Sequence, residues 1–354
     1  MALWQVFLAK SSNLTRYGDI SKECRGKSFS LGLNKAGSFN FNVPFNSEFT
    51  DYLTPKKYCA IVQKDKEVVW SGPIWTRETD FAAKKFNISC VGWFEMLQTR
   101  LLTSGNQNFE DISDGDIAHG LLAIANAQTI GGITIPTWIS EGINTSSQTR
   151  TIEYEQYKSI GEAIQELSEM EAGFDFEVDP ETRNLNIRAW DDYNTRSVYF
   201  AYTKSPKNLR NVVVSENGAD QRNEYYVIGK HETARANDSI LENFLDYGLH
   251  QEAITISDLG DRDIQAVIAN AELAVHKTPI VSINIDAMGE GQAARSVPQL
   301  FTDYELGDKV FVSAHDPDTD IEINRQAVRI FGVNFEIDEL GNEKVSSIQT
   351  TYST

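Results

Sequence analysis

The chain has 354 residues, of which 41% are hydrophobic and 23% are charged, and its formal net charge is −19. This composition is typical of an ordinary globular protein with two or three domains. The acidic charge predicts a poor non-specific DNA binder, because Lys and Arg dominate contact with phosphate. The charge suits either solubility or a surface that DNA passes without sticking, and charge alone does not separate these two interpretations. No apolar run approaches the ~20 residues of a membrane-spanning helix, and the start lacks the pattern of a signal peptide, so we expect synthesis in a cytoplasm.

The three cysteines, Cys24, Cys59 and Cys90, are widely separated. An odd count without CxxC spacing predicts neither a disulfide framework nor a zinc site. Cys90 alternates with Phe86 and Ile88, which predicts a small core residue.

Residues 1–103 are predicted to form a first β-rich module. Short strands with polar connections are typical of a small barrel or sandwich. Phe39 and Phe41 alternate with Asn40 and Asn42, so we expect the Phe side chains in a barrel wall and the Asn side chains on the opposite face. The strands are predicted at residues 4–8, 29–33, 39–43, 60–62, 68–70 and 86–91, and a helix at residues 93–102.

Residues 104–200 are predicted to form an α+β insert. Apolar spacing predicts a helix at residues 116–128, and residues 133–138 are strand-like. Ser159 begins a capping box, which predicts a second helix directly after it. Alternating apolar residues on both sides of a polar turn then predict a hairpin at residues 174–187.

Residues 201–354 return mostly to β structure. Asp258 is predicted to cap a helix at residues 259–277. Strands with apolar residues at alternate positions follow at residues 281–285 and 331–337, and the second is predicted to form a hairpin. The predicted class is α+β and β-dominated, with two β-barrel modules flanking the insert and an additional helix in the C-terminal half.

Residues that could carry catalysis are scattered along the chain. There is neither an HExxH zinc motif nor a GxSxG nucleophile elbow. The pairs Glu153/Glu155 and Asp191/Asp192 could serve glycoside hydrolysis, but a solvated strand face and a turn are the favoured interpretations. No catalytic residue and no cofactor are therefore predicted, and the chain is predicted not to be an enzyme. The five separated histidines are His119, His231, His250, His276 and His315.

Three acids at alternate positions, Asp316, Asp318 and Asp320, are weak candidates for a metal site. Ca²⁺ takes several oxygen ligands at once, which such spacing can supply. The segment lacks the glycine and the distal glutamate of an EF-hand loop, and Pro317 suits a turn. An acidic turn is the favoured interpretation.

Four motifs occur in a recognisable order. They are Leu-Asn-x-x-Gly-Ser-Phe-x-Phe at residues 33–41, Ser-Gly-Pro-Ile at 71–74, Gly-Trp-Phe at 92–94 and Leu-Gly-Asp-x-Val at 306–310. This ordered set resembles phage minor tail proteins of the siphophage baseplate hub type. Further segments with the same resemblance are residues 157–164, 174–178, 208–214, 238–239, 247–248 and 270–274.

The resemblance implies a structural virion protein at the tip of a phage tail, made in the host cytoplasm. It implies a homotrimer in which each subunit contributes two hub-type β-barrel modules, so that three chains make a pseudo-sixfold ring continuing the tail tube. The implied partners are the distal tail protein ring, the tape-measure protein and the tail fibre or receptor-binding proteins. DNA would pass through an acidic lumen without specific binding. Some such hubs carry a C-terminal lytic domain, and we expect none after the last hairpin here.

A carbohydrate-active enzyme or a sugar-binding β-rich module is the alternative. It would use the acidic pairs for catalysis and aromatic side chains for stacking on sugar rings. Trp70 and Trp93 lie in apolar patterns, which favours core positions for them. The lack of a catalytic motif favours the hub.

Overall fold

β-Strands dominate the structure, which is a computed structural model of the chain. It describes residues 3–130, 132–135, 137–170, 172–189, 192, 195–202, 208–217, 219, 221–230, 232–240, 248–256, 262–277, 280–287, 297–315, 322–339 and 341–352. The helices of these residues are α1 Glu95–Gln98, α2 Asp114–Ala127, α3 Ile160–Glu169 and α4 Arg262–His276. Among the described residues, no helix is both long enough and apolar enough to cross a membrane.

The strands are numbered in chain order. They are β1 Trp4–Lys10, β2 Arg16–Asp19, β3 Arg25–Gly32, β4 Ser38–Pro44, β5 Tyr58–Lys64, β6 Glu67–Asp80, β7 Lys85–Val91, β8 Gln107–Ser113, β9 Thr129–Ile130, β10 Ile133–Thr134, β11 Ser140–Asn144, β12 Thr149–Tyr154, β13 Phe174–Val178, β14 Asn184–Ala189, β15 Thr195–Ala201, β16 Leu209–Asn217, β17 Glu224–Ile228, β18 Thr233–Asn237, β19 Gln251–Thr255, β20 Ile280–Ala287, β21 Lys309–His315, β22 Glu322–Ile337 and β23 Glu343–Tyr352. The predicted α+β, β-dominated class is confirmed.

One large sheet follows the order β2-β1-β5-β6-β7-β4-β3-β22-β23-β20-β16, and β21 and β15 branch from β22. The first half of β6 pairs with β5 and its second half with β7, so this strand turns the sheet. Trp4 on β1 lies 6.2 Å from Phe29 and 6.1 Å from Phe335, between ring centroids. Because β1 pairs with neither β3 nor β22, the curved sheet encloses these rings without closing by the described strand pairs. Closed barrels therefore stay a prediction.

Alternation along β4 follows the prediction. Phe39 and Phe41 are buried, whereas Asn40 and Asn42 are partly exposed on the other face. Phe39 lies at 4.4 Å from Phe29 and at 5.0 Å from Phe41, between centroids. Stacked and tilted rings at such distances stabilise a core beyond the burial of their area.

The insert shares one apolar core with the first module, formed by α2, α3, α1 and the strands β13 and β14 together with residues of β1 and β5. Helices α2 and α3 both begin at a serine whose hydroxyl accepts a hydrogen bond from a backbone N–H. Ser113 accepts from Asp116 at 3.1 Å, and Ser159 accepts from Glu162 at 3.3 Å. The capping predicted for Ser159 is confirmed, and the helix predicted at residues 116–128 corresponds to α2.

Two predicted elements are wrong in extent. The helix predicted at residues 93–102 is reduced to α1, because the chain after it is drawn into backbone pairing. The Ile160 N–H donates to the carbonyl of Arg100 and the Leu102 N–H to that of Lys158. The strand predicted at residues 133–138 is limited to β10.

The chain divides into two units, Met1–Val212 with Ile285–Thr354 and Val213–Asn284. In the second unit, β17 pairs antiparallel with β18 and parallel with β19. Tyr225 and Val227 belong to one small core with Ala269 and Leu273 of α4. The helix predicted at residues 259–277 is confirmed over α4, and Asp258 lies outside the described residues. The module bounds at residues 103 and 200 stay a prediction.

Candidate assembly site

The motifs that carry the family resemblance meet where the large sheet contacts the insert, a region we call the junction. It comprises the β3–β4 turn, the bend of β6, the end of β7 and the facing strand β13. Gly92 donates its backbone N–H to the carbonyl of Gly37 at 3.2 Å. A Cβ on Gly92 would overlap the backbone of Ala36, and one on Gly72 would overlap the carbonyl of Val91. Two backbone segments therefore approach so closely that glycine is needed at both positions.

Ser71 supplies the polar contact of the junction. Its hydroxyl accepts a hydrogen bond from Trp93 Nε1 at 2.8 Å and donates to the carbonyl of Pro180 in the insert. Trp93 is buried, so its indole N–H requires such a partner. The Ser-Gly and Gly-Trp pairs of the two motifs thus act together as one contact.

Asn34 holds the turn against the insert. Its backbone lies in the left-handed region with φ of 58°. The side-chain oxygen accepts from the Phe176 N–H at 2.7 Å, and Nδ2 donates to Asp175 Oδ1 at 3.2 Å. Asp175 also pairs with Arg329 of β22. Burial raises the pKa of Asp175 above its usual value, although Arg329 and Asn34 oppose the shift.

The Leu-Gly-Asp motif forms the turn before β21. Gly307 has φ of 87°, and its carbonyl accepts a hydrogen bond from Arg329 Nε at 3.2 Å. The buried carboxylate of Asp308 accepts from the Glu305 N–H at 2.9 Å and from Arg196 Nε at 3.0 Å. Arg329 therefore links this turn to Asp175, so the first and last motifs belong to one connected region.

A buried ion pair joins two distant strands of the sheet. Lys64 Nζ of β5 lies 2.7 Å from Glu343 Oε1 of β23 and donates to the Leu300 carbonyl at 2.8 Å. Both side chains are more than nine-tenths buried. The pair fixes the arrangement of strands that are far apart in the pairing order.

The described candidate catalytic residues are dispersed. Glu153, Glu155 and Asp192 are exposed, so they do not form a buried acid pair. His119 is buried, with Nε2 at 3.0 Å from the Leu185 carbonyl, and His276 Nδ1 lies 3.0 Å from that of Glu272. The described part of the chain holds no cluster of three metal-ligating side chains. The predicted candidates outside the described residues are Asp191, His231, Asp316, Asp318 and Asp320.

The three cysteines are free and buried. Burial raises the pKa of Cys24 and of Cys59 to about 12 and also raises that of Cys90. A nucleophilic role requires the thiolate form, so these thiols are core residues.

Comparison with solved structures gives the class of fold. A tail protein from Neisseria meningitidis MC58 superposes with a TM-score of 0.67 at 14% identity, over 99% of this chain and 97% of the other. The 43 kDa tail protein of prophage MuSo2 from Shewanella oneidensis gives 0.65 at 14% identity, over 98% of both chains. The E. coli c3393 protein, a component of the type VI secretion system, gives 0.51 at 10% identity, over 94% of this chain and 74% of the other.

The c3393 protein is itself described as structurally similar to the T4 bacteriophage tail proteins gp27 and gp5. No protein-family model and no curated protein matches the chain. The chain has the fold of phage tail proteins, and the resemblance predicted from the ordered motifs is confirmed at the level of the fold.

Proposed function

We propose that this chain is a structural protein of a phage tail, the hub of the baseplate at the tail tip of a siphophage. The observation that carries the proposal is the likeness to two tail proteins along 98–99% of the chain. One fold can serve several functions, so the proposal also draws on the ordered motifs. Those motifs converge on the junction, where they fix the orientation of the insert on the sheet.

Three copies form the hub in this proposal. Residues 1–103 and 201–354 act as two tube-like modules, and residues 104–200 as the insert between them. The antiparallel pairing of β3 with β22 supports this arrangement, because it joins one strand from each module in one sheet. Three such pairs of modules give six positions around a ring, which suits a sixfold tail tube.

The partners in this proposal are other tail proteins. They are the distal tail protein ring, the tape-measure protein and the tail fibre or receptor-binding proteins. DNA passes through the lumen without specific binding, in agreement with a net charge of −19.

Mass measurement of the purified chain by size exclusion with light scattering tests the trimer. We expect three times the chain mass of 39.7 kDa. Electron microscopy of tails that carry a tagged copy tests the position, and we expect label only at the tip. A monomer that is absent from purified tails would exclude the hub function.

A further inference from the structure

A short segment, residues 299–304, spans an opening in the wall of the enclosed core, and we call it the strap. The opening exists because β1 pairs with neither β3 nor β22. On one side, the carbonyl of Leu300 accepts a hydrogen bond at 2.8 Å from Lys64 Nζ of β5, the neighbour of β1. On the other side, the ring of Phe301 lies 6.0 Å from that of Phe335 of β22, between centroids. The strap therefore contacts both borders of the opening.

Hydrogen bonds within the strap give it a shape of its own. The Phe301 N–H donates to the Tyr304 carbonyl at 2.9 Å, and the Asp303 N–H donates to the Gln299 carbonyl at 2.8 Å. The Gln299 N–H in turn donates to Asp303 Oδ2 at 2.8 Å. These bonds join residues of the strap to one another, so they need not break when the strap moves as one piece.

The closed position of the strap strains its backbone. Phe301 has φ of 64°, which lies in the left-handed region. A residue with a bulky side chain rarely adopts this region, because its Cβ approaches the following carbonyl oxygen too closely. Backbone strain of this kind persists only where the surrounding structure imposes it. The contacts of the strap with the two borders therefore hold Phe301 in an unfavourable conformation.

The closed position also buries a hydroxyl group. Tyr304 is 1% exposed, and its hydroxyl has no hydrogen-bond partner among the described residues. The ring packs at 5.5 Å from that of Phe200, between centroids, so the side chain is fixed by apolar contact. A donor that gives up its bonds to water without a replacement destabilises the state that buries it.

The third cost of the closed position is the buried ion pair. Lys64 and Glu343 lie 2.7 Å apart with more than nine-tenths of each side chain buried. Removal of two charges from water often costs more than their attraction returns. Lys64 Nζ also lies 5.9 Å from the ring centroid of Phe301, so the strap itself covers the ammonium group. Movement of the strap away from the sheet would return the pair to water.

We propose that the strap is a gate that opens as one piece while the sheet stays folded, and that its closure depends on the Lys64–Glu343 pair. Burial of Leu300 and Tyr304 holds the closed state in place. In the open state Phe301 loses its strain, and the Tyr304 hydroxyl and the ion pair regain water. Local opening at a free energy below that of global unfolding is expected where such costs concentrate. Solvent then reaches the enclosed aromatic core.

Thiol labelling of a Leu300→Cys variant tests the opening. The buried native thiols of Cys24, Cys59 and Cys90 report unfolding of the sheet in the same molecule. In native buffer, we expect iodoacetamide to label the introduced thiol at least about tenfold faster than any native one, as measured by mass spectrometry of peptides. Equal rates would show that the strap opens only when the sheet unfolds, and would overturn the proposal.

The role of the ion pair is tested by adding Lys64→Met to this variant. The closed state would then bury the Glu343 carboxylate without its cation, so we expect labelling of the introduced thiol to become at least about tenfold faster again. Adding Glu343→Leu should reverse this rise, because no charge is then buried. An equal rise in the labelling of Cys90 would mean that the pair stabilises the whole sheet, and would overturn its role in closure.

A second measurement needs no introduced thiol and remains decisive if Leu300→Cys fails to fold. Tyr304→Phe keeps the ring and removes the unpaired hydroxyl, so the midpoint of urea unfolding should stay unchanged or rise. Tyr154→Phe is the matched control, because the hydroxyl of the buried Tyr154 donates to the Ala163 carbonyl at 3.2 Å. The control should lower the midpoint. An equal decrease in both variants would contradict the cost assigned to the closed strap and overturn the proposal.

Discussion

The two ends of the large sheet place opposite demands on side chains. At the junction, Gly72 and Gly92 allow backbone to approach backbone, and Ser71 and Trp93 satisfy each other inside the contact. At the opposite end of the sheet, which we call the aromatic end, Phe81 at the tip of the β6–β7 hairpin is exposed. The turn that carries it is held by a hydrogen bond from the Ala83 N–H to the Asp80 carboxylate and by one from the Phe45 N–H to the Lys84 carbonyl. The junction therefore requires small residues that let two backbone segments pack closely, whereas the aromatic end presents a large apolar side chain to solvent.

Gly92→Val should have the largest effect on stability. Its side chain would overlap the Ala36 backbone, which cannot rotate away as a flexible side chain could. We expect a loss of at least about 4 kcal/mol in the free energy of unfolding, measured by urea denaturation. Gly105→Ala is the control, because no atom lies within 4 Å of its added Cβ and only its φ of 95° is strained. The backbone strain alone should cost the control about 1–2 kcal/mol, so a loss in the control as large as that of Gly92→Val would contradict this interpretation.

Arg329→Met comes next, because it leaves Asp175 buried without its cation. We expect a loss of about 3 kcal/mol at neutral pH. The variant should be less impaired in acid. Burial already raises the pKa of Asp175, so the folded state binds its proton more tightly than the unfolded state does.

The sign of this pH dependence follows from proton linkage. Stability of Arg329→Met should fall as pH rises from the ordinary Asp value of 3.8 to the raised pKa of Asp175, and should level off above it. Chemical denaturation at several pH values measures the slope. Adding Asp175→Asn should remove it, and a slope that persists in the double variant would assign the effect to another group.

Ser71→Ala should have an intermediate effect. The change leaves the buried Trp93 N–H without an acceptor and removes the hydrogen bond to Pro180. We expect a loss of about 1–2 kcal/mol, measured by urea denaturation followed through tryptophan fluorescence. Ser30→Ala, at an exposed position of β3, should change stability little. If Ser71→Ala and Ser30→Ala lowered the free energy of unfolding equally, the hydrogen bonds of Ser71 would not stabilise the junction as described.

Phe81→Ala should have the smallest effect on the isolated chain. Because the ring is largely exposed, we expect its stability to stay within about 0.5 kcal/mol of the unmodified value. Thermal unfolding measures this. A large destabilisation would mean that the Phe81 ring contributes to the packing of the core. The two ends of the sheet would then no longer differ in the role of their side chains.

Short sequence patterns correctly predicted the features of the fold that depend on neighbouring residues, such as strand alternation and helix capping. The alternation around Phe39 and Phe41 and the capping by Ser159 were identified because their causes lie within a few residues. The polar strands β8 and β12 were missed, since their sequences hold few apolar residues at alternate positions.

Long-range contacts had no signal in the sequence. Lys64 and Glu343 are ordinary charged residues until the sheet brings them within 2.7 Å, and Arg329 gives no hint that it joins Asp175 to the turn at Gly307. The glycines of the junction could be identified by resemblance, but the backbone approach that requires them could not. The aromatic end was not predicted either, because Phe45, Phe81 and Phe86 lie at the ends of different strands and meet only in the folded sheet.

The pairing of β3 with β22 has a consequence for biosynthesis. Phe29 and Phe335 face each other across this pair although about 300 residues separate them. A ribosome that adds roughly 5–20 residues per second needs about 15–60 s to make the intervening chain. During that time the edge of β3 has no native neighbour on one side, and an unpaired strand edge invites contact with other chains. Early protection of this nascent edge is therefore a requirement of the fold itself.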